Sequence, residues 1–231
     1  MDRTGTALIV GASRGIGQAL AAEFVERGWT VIGTVRGSAP TPLHDLAAAA
    51  GDRLRIEQVD ITRADQVAEL RSRLDDVSLD VLFVNAGTTN NAETPIGQVS
   101  THDFVEVMVT NALSPMHVIE ALEDLVTEDG LIGVMSSGQG SIANNTTGSR
   151  ELYRGSKAAL NMFMKSFAVR QAHDERAIVV VAPGWIKTTL GGDDAPFTLE
   201  ENVPKVVDVL VDCLATRGIT YRDFRGEVVP W

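Results

Sequence analysis

Apolar residues along this chain come in short unbroken runs separated by longer amphipathic stretches. Six runs have strand length: Thr6–Val10, Thr30–Val35, Leu54–Val59, Val81–Val84, Leu131–Met135 and Ile178–Val181. They are continuous rather than alternating, which is the pattern of parallel strands covered on both faces. Between them, Ile16–Arg27, Asp65–Leu74, Phe104–Val126 and Ser156–Arg170 carry apolar residues at helical spacing. Strand and helix alternating about six times specify an open, doubly wound α/β sheet with right-handed crossovers. A TIM barrel is the competing arrangement, and 231 residues with six or seven strands fit it poorly. No repeat, low-complexity tract or linker divides the chain, so residues 1–231 are expected to form one domain. Ser38–Pro42 reads as a surface loop. Gly138–Glu151 and Leu190–Glu200 read as the two longest segments without regular structure, and long loops at strand ends are where such sheets carry their sites.

Composition narrows the partners. Lys and Arg number 20 against 31 Asp and Glu, a formal net charge of −11. A surface this acidic argues against a nucleic-acid or anionic-membrane partner, while leaving room for a small anion in a local pocket. The single cysteine, Cys213, has no partner within the chain for a disulfide. Met1–Gly5 run directly into the first strand, without a charged segment and long apolar stretch of the kind that targets or spans a membrane. A cytoplasmic protein is the expectation. His44, His102, His117 and His173 fall in no metal-ligand spacing, so no metal is expected, and Asn144-Asn145-Thr146-Thr147 matches a glycosylation sequon by letter only.

Directly after the first strand comes Gly11-Ala12-Ser13-Arg14-Gly15-Ile16-Gly17. Glycines at this junction let backbone N–H groups close on a pyrophosphate at a helix N-terminus. At the end of the second strand an acidic residue would bind the adenosine ribose of NAD and repel a 2′-phosphate. The strand ends instead in Thr34-Val35-Arg36, and Arg14 lies in the glycine loop. Two guanidinium groups so placed suit the 2′-phosphate of NADP(H).

Tyr153 and Lys157 stand four positions apart at the start of a helical run and project from one face. A tyrosine with an unperturbed pKa near 10 needs help to act at neutral pH, and a neighbouring ammonium provides it. With Gly11–Gly17, Val59-Asp60-Ile61-Thr62, Asn85-Ala86-Gly87, Asn111, Ser136-Ser137 and Pro183-Gly184 in that order, the whole chain resembles the short-chain dehydrogenase/reductase family. The resemblance implies a Rossmann-type doubly wound parallel sheet of about seven strands with helices on both faces. It implies that Gly11, Ser13, Arg14, Gly15, Ile16, Gly17 and Arg36 bind the cofactor's phosphates, and that Asp60 with Ile61 meets the adenine. Asn85, Ala86 and Gly87 are expected along the cofactor, with Tyr153 and Lys157 at the nicotinamide ribose. Pro183, Gly184, Ile186 and Thr188 are expected at the nicotinamide. The catalytic set implied is Ser137 polarising the carbonyl, Tyr153 donating the proton, Lys157 lowering the tyrosine pKa, and Asn111 holding a relay water. Taken singly, Asn85 reads equally well as a turn tie, Asn111 as a partner of a helix carbonyl and Asp60 as the N-cap of the helix near Arg63.

Val10 and Val84 stand where threonine and asparagine are more usual in that family. The gap from Ser137 to Tyr153 is longer than in most members. Ser137 is preferred to Ser141 because Gly140 follows it at the usual spacing. The loop Ser136–Asn145, the segment Tyr153–Asn161, Pro183–Thr188 with Gly191-Gly192, and the terminal Gly226–Trp231 are similar to the C-factor-like branch, which contains small NADPH-dependent carbonyl reductases and members described as signalling proteins. The expected function is NADPH-dependent reduction of a small ketone or aldehyde, with Ser137, Gln139, Tyr153 and Trp185 against the substrate. The alternatives are an NADP(H)-sensing protein and a ketoacyl-carrier-protein reductase. Trp185, Leu190, Phe197 and Leu199 favour an uncharged, partly hydrophobic substrate under a closing segment, with Gly191-Gly192 as its flexible point. A homodimer or homotetramer through about His102–Val126 and Tyr153–Arg170 is expected.

Overall fold

A computed structural model describes residues 4–171 and 175–231. His173 and the opening residues Met1–Arg3 lie outside the described residues. Seven strands form one sheet: β1 Thr6–Val10, β2 Thr30–Val35, β3 Leu54–Gln58, β4 Leu79–Val84, β5 Val126–Met135, β6 Ala177–Ala182 and β7 Gly218–Asp223. Their order is β3-β2-β1-β4-β5-β6-β7, and every pair is parallel. Between them run α1 Gly15–Glu26, α2 Pro42–Ala50, α3 Ala64–Arg73, α4 Thr101–Met108, α5 Ser114–Leu122, α6 Glu151–Arg170 and α7 Leu199–Cys213.

Strand residues alternate between two cores because successive side chains point to opposite faces. Leu8, Val10, Leu82, Val84, Ile132 and Ile178 pack with Val67 and Leu70 of α3, Ile119 and Leu122 of α5, and Met164 and Phe167 of α6. Ala7, Ile9, Val81, Phe83, Val179 and Val181 pack on the other face with Leu20 and Phe24 of α1, Leu43 of α2, and Val206 and Leu210 of α7. Burial on both faces is why these strands read as unbroken apolar runs.

The helix expected over Phe104–Val126 is three pieces. A π-helical turn, Val109–Leu113, joins α4 to α5, and Val126 already belongs to β5. Pro115 has no N–H for the carbonyl four residues back, so the regular ladder is interrupted just before it. The stretch Ser38–Pro42 ends in a helix start rather than in loop: Pro42 takes the first helical position, and Thr41 N donates to His44 Nδ1 at 3.1 Å. α7 begins at a capping box, with Thr198 N donating to Glu201 Oε2 at 2.8 Å and Glu201 N to Thr198 Oγ1 at 3.3 Å. No described helix is long and apolar enough to cross a membrane.

The sheet's switch point lies between β1, β2 and β4, where chain connections leave in opposite directions, and a crevice opens there at the carboxyl ends. Asn85 N and Ala86 N both donate to Val10 O, at 2.9 and 3.0 Å. The ends of β1 and β4 are thereby held edge to edge.

Candidate active site

The glycine loop is built by close approach. Gly11 has φ +85°, and a Cβ there would lie 2.8 Å from Ala86 backbone atoms. A Cβ on Gly17 would lie 2.1 Å from Gly11 O and 2.6 Å from Asn85 Nδ2. Only glycine allows this packing. Gly11 N donates to Thr34 Oγ1 at 2.9 Å, and Asn85 Nδ2 to Gly11 O at 2.8 Å. Asn85 therefore ties the loop itself. Gly15, at φ +58°, opens α1, whose first turn has neither a side-chain cap nor an acidic residue. The unpaired N–H groups of that turn, Gly15, Ile16 and Gly17 among its residues, form an anion site at a helix N-terminus. Arg14 and Arg36 are exposed beside it, and neither takes part in an ion pair among the described residues. Ser13 and Ile16 are half-buried. This cradle, open and positively charged, fits a dinucleotide phosphate.

After β3, the Asp60 carboxylate accepts from Thr62 N at 3.0 Å and Thr62 Oγ1 at 2.7 Å, so it closes a turn. It does not cap α3, whose N-cap position is Arg63. The Ile61 side chain is buried in the core with Val67 and Leu70 of α3.

Tyr153 and Lys157 sit on the first two turns of α6, 8% and 3% exposed. The Tyr153 hydroxyl faces Ser137 just beyond β5, near enough for the serine to draw the phenol pKa down, whereas Ser141 Oγ accepts from Asn144 N at 3.2 Å within its own loop. Lys157 Nζ donates to Met135 O at 2.8 Å and lies 5.9 Å from the Tyr153 ring centre. Burial pushes the lysine pKa down to about 8. Burial also pushes the Tyr153 phenol up, and what draws it back is the Ser137 hydrogen bond and the charge of Arg150. The Lys157 ammonium is turned to the Met135 carbonyl rather than to the phenol hydroxyl in this structure. Asn111, fully buried in the π-helical turn, receives Thr88 N at 2.7 Å on Oδ1. Its Nδ2 donates to Thr88 O and to Ser156 Oγ, each at 2.9 Å. A Cβ on Gly87 would lie 3.3 Å from Asn111 Oδ1 and 3.4 Å from Lys157 Nζ, so this glycine keeps open the space the two polar atoms share.

A family model described as short chain dehydrogenase matches residues 5–196. The chain belongs to the short-chain dehydrogenase family. Among solved structures, a Burkholderia multivorans protein assigned to the short-chain dehydrogenases/reductases, crystallised with bound NADP, is 59% identical over 98% of this chain and 99% of its own, with a TM-score of 0.97. A carbonyl reductase from Pseudomonas aeruginosa PAO1 in complex with NADP is 32% identical, covers 99% of this chain and 100% of its own, and has a TM-score of 0.90. Among curated proteins, the C-signal of Myxococcus xanthus is 32% identical over 66% of this chain and 93% of its own. The fold and the family of this short-chain dehydrogenase are thus those its motifs imply.

In this family member the segment after β6 folds back over the glycine loop. Pro183 O accepts from the fully buried Asn202 Nδ2 at 2.9 Å, and Gly184 has φ +85°. Ile186 is buried and bridges to Phe197. Thr188 Oγ1 accepts from Gly191 N at 3.0 Å, and its methyl would lie 3.8 Å from a Cβ on Gly15. At Gly191 a Cβ would lie 2.0 Å from Ile186 O, so glycine serves tight packing there, whereas Gly192, at φ +79°, has open space around it. Trp185, 52% exposed, donates its indole N–H to Gly191 O at 2.7 Å. Phe197 and Leu199 pack against the core under α7 rather than lining open space. Gln139 Oε1 is buried without a partner, and Gln139 N donates to Ser137 Oγ at 3.2 Å.

Several contributors carry no signature in the sequence. The Thr34 hydroxyl accepts from Gly11 N, Thr88 N donates to Asn111 Oδ1, and Tyr221 donates its hydroxyl to Ser137 O from β7. Arg150 stands over the Tyr153 ring, 5.1 Å from its centre. Away from the crevice, His102, Asp103 and Glu106 bring three ligand-type atoms within 4.8 Å of one another, all exposed on α4.

Proposed function

We propose that the protein is an NADPH-dependent reductase of a small ketone or aldehyde. The observation that carries the reading is the Ser137–Tyr153 hydroxyl pair, with Lys157 one helical turn on, at the crevice the glycine loop borders. Gly11–Gly17 and the open turn of α1 hold the pyrophosphate, and Arg14 with Arg36 holds the 2′-phosphate. The bound NADP of the Burkholderia and Pseudomonas relatives supports this choice of cofactor. Asp60-Ile61 borders the adenine, and Asn85-Ala86-Gly87 runs along the cofactor. Pro183, Gly184, Ile186 and Thr188 border the nicotinamide. When bound, NADPH supplies a hydride to the carbonyl carbon. Ser137 donates a hydrogen bond to the carbonyl oxygen, where negative charge develops. Tyr153 then protonates that oxygen, and Lys157 stabilises the phenolate left behind. Asn111 braces Thr88 beside Lys157, at the opening Gly87 leaves for a proton to be resupplied. Gln139 and Trp185 border the substrate.

We propose further that the chain acts as one domain and as a homodimer or homotetramer. Phe104 and Val105 on α4, Leu113, and Met162, Phe163 and Val169 on α6 are all exposed, an apolar face suited to a second copy.

NADPH oxidation measured against ketones, diketones, quinones and aldehydes tests the reading. Turnover of at least one class is expected. NADPH binding with no turnover on the whole panel sinks it and leaves a sensing role.

A further inference from the structure

Arg150 is the one described non-glycine residue with a positive φ, +57°. Arginine gains nothing locally from that conformation, which disfavours residues bearing a Cβ. The strain has a placement: from the N-cap position of α6 the side chain lies over the ring of Tyr153, three residues on, its Cζ 5.1 Å from the ring centre. Nη2 reaches Thr89 Oγ1 only at 3.4 Å, just beyond the Asn85-Ala86-Gly87 turn. Nε is buried with no partner.

Arg27, Arg55, Arg63, Arg71, Arg73, Arg170 and Arg217 pair with carboxylates, whereas Arg14, Arg36, Arg53, Arg154, Arg222 and Arg225 do not among the described residues. What sets Arg150 apart is a buried Nε without a partner. Arg150, on a chain of net charge −11, pairs with none among the described residues. A partly buried guanidinium with an unsatisfied donor is costly unless an anion completes it. The cofactor phosphates are claimed by the glycine loop at the ends of β1 and β2. The anion left for Arg150 is on the substrate.

We propose that Arg150 is a specificity-determining residue, and that the substrate is a carbonyl compound bearing a carboxylate that docks on Arg150 while its carbonyl meets Ser137 and Tyr153. A carboxylate suits the site better than a phosphate. The planar guanidinium matches a carboxylate edge, whereas a doubly charged phosphate calls for a second cation, and Lys157 is turned to Met135 O. The inference rests on the reductase reading and replaces the uncharged substrate expected from the apolar residues of the 185–199 segment.

The test pairs 2-oxo-4-phenylbutanoate and 4-oxo-4-phenylbutanoate with their ethyl esters, in the wild type and Arg150→Asn. Asparagine tolerates the left-handed conformation, and Arg150→Gly replaces it should that variant fail to fold. Both members of a pair pass through Tyr153, so any effect of Arg150 on the phenol cancels in the acid-to-ester ratio of kcat/KM. The expected result is preference for at least one acid over its ester, falling about tenfold or more in the variant. No preference in the wild type, or one that survives in the variant, overturns the inference while leaving the reductase reading intact. Should neither acids nor esters be reduced, calorimetric titration of the same compounds into the NADP-loaded protein still decides it. Tighter binding of the acid that is lost in Arg150→Asn supports the inference, and equal binding overturns it.

Discussion

Lys157 places its ammonium on the carbonyl of Met135, 2.8 Å away, and not on the hydroxyl of the tyrosine one turn before it. The last residue of β5 thus fixes a charge that a helix spacing alone would assign to Tyr153. The burial that accompanies this bond brings the lysine pKa from 10.5 to about 8. Between those values the unfolded chain holds more protons than the folded one, so this group's contribution to stability rises with pH. Below about 8 the ammonium is buried at full cost. Relative to Lys157→Met, the wild type is expected to gain on the order of 3 kcal/mol between pH 7 and pH 10.5. Urea denaturation of both proteins across that range checks it, and a gap independent of pH would contradict the assignment.

Tyr153→Phe keeps the buried ring and removes the hydroxyl that meets Ser137. Carbonyl reduction is expected to fall by about 100-fold or more, with NADPH affinity within a factor of about two. Turnover near the wild-type rate would falsify the role given to Tyr153.

Two glycines on helices should respond with opposite signs. Gly17→Ala places a Cβ against Gly11 O, backbone that has no room to give. Its melting temperature should fall by roughly 5–10 °C, with dinucleotide binding lost. Gly155 lies inside α6 with nothing within 4 Å of a built Cβ. Gly155→Ala should stabilise by about 0.5–1 kcal/mol. Calorimetric scans of the two variants make the comparison, and a stabilising Gly17→Ala contradicts the packing argument.

Arg14 and Arg36 are exposed beside the open turn of α1, in no ion pair among the described residues. Removing both, as Arg14→Ala with Arg36→Ala, should weaken NADPH binding by about 100-fold or more and leave NADH binding within a few-fold. The NADPH advantage of the wild type should also shrink as salt rises. Fluorescence titrations with the two dinucleotides read both effects, and parallel losses for NADH and NADPH would remove the arginines from the 2′-phosphate.

The exposed apolar face of α4 and α6 predicts an assembly that a charge should disrupt. Light scattering is expected to give a dimer or tetramer for the wild type and a smaller species for Phe104→Asp with Met162→Asp. A monomeric wild type discards the proposed interface.

The sequence by itself determined the parallel sheet, because strands covered on both faces must be apolar at every position, and β1 and β2 begin and end where the runs do. It also placed the glycine loop and the tyrosine–lysine pair, since close backbone approach and a shared helix face each leave a fixed spacing. β7 escaped this reading: as an edge strand it is only partly buried, so Gly218–Asp223 shows no unbroken apolar run. α7 escaped it because Pro204 breaks the helical pattern, although Thr198 and Glu201 already spelled its cap. What Asn111 holds needed the fold, since its amide partners, Thr88 and Ser156, are distant in the chain. Arg150 needed it most. A positive φ, an unpaired guanidinium and a tyrosine beneath it are properties of neighbours in space, and no residue type or spacing encodes them.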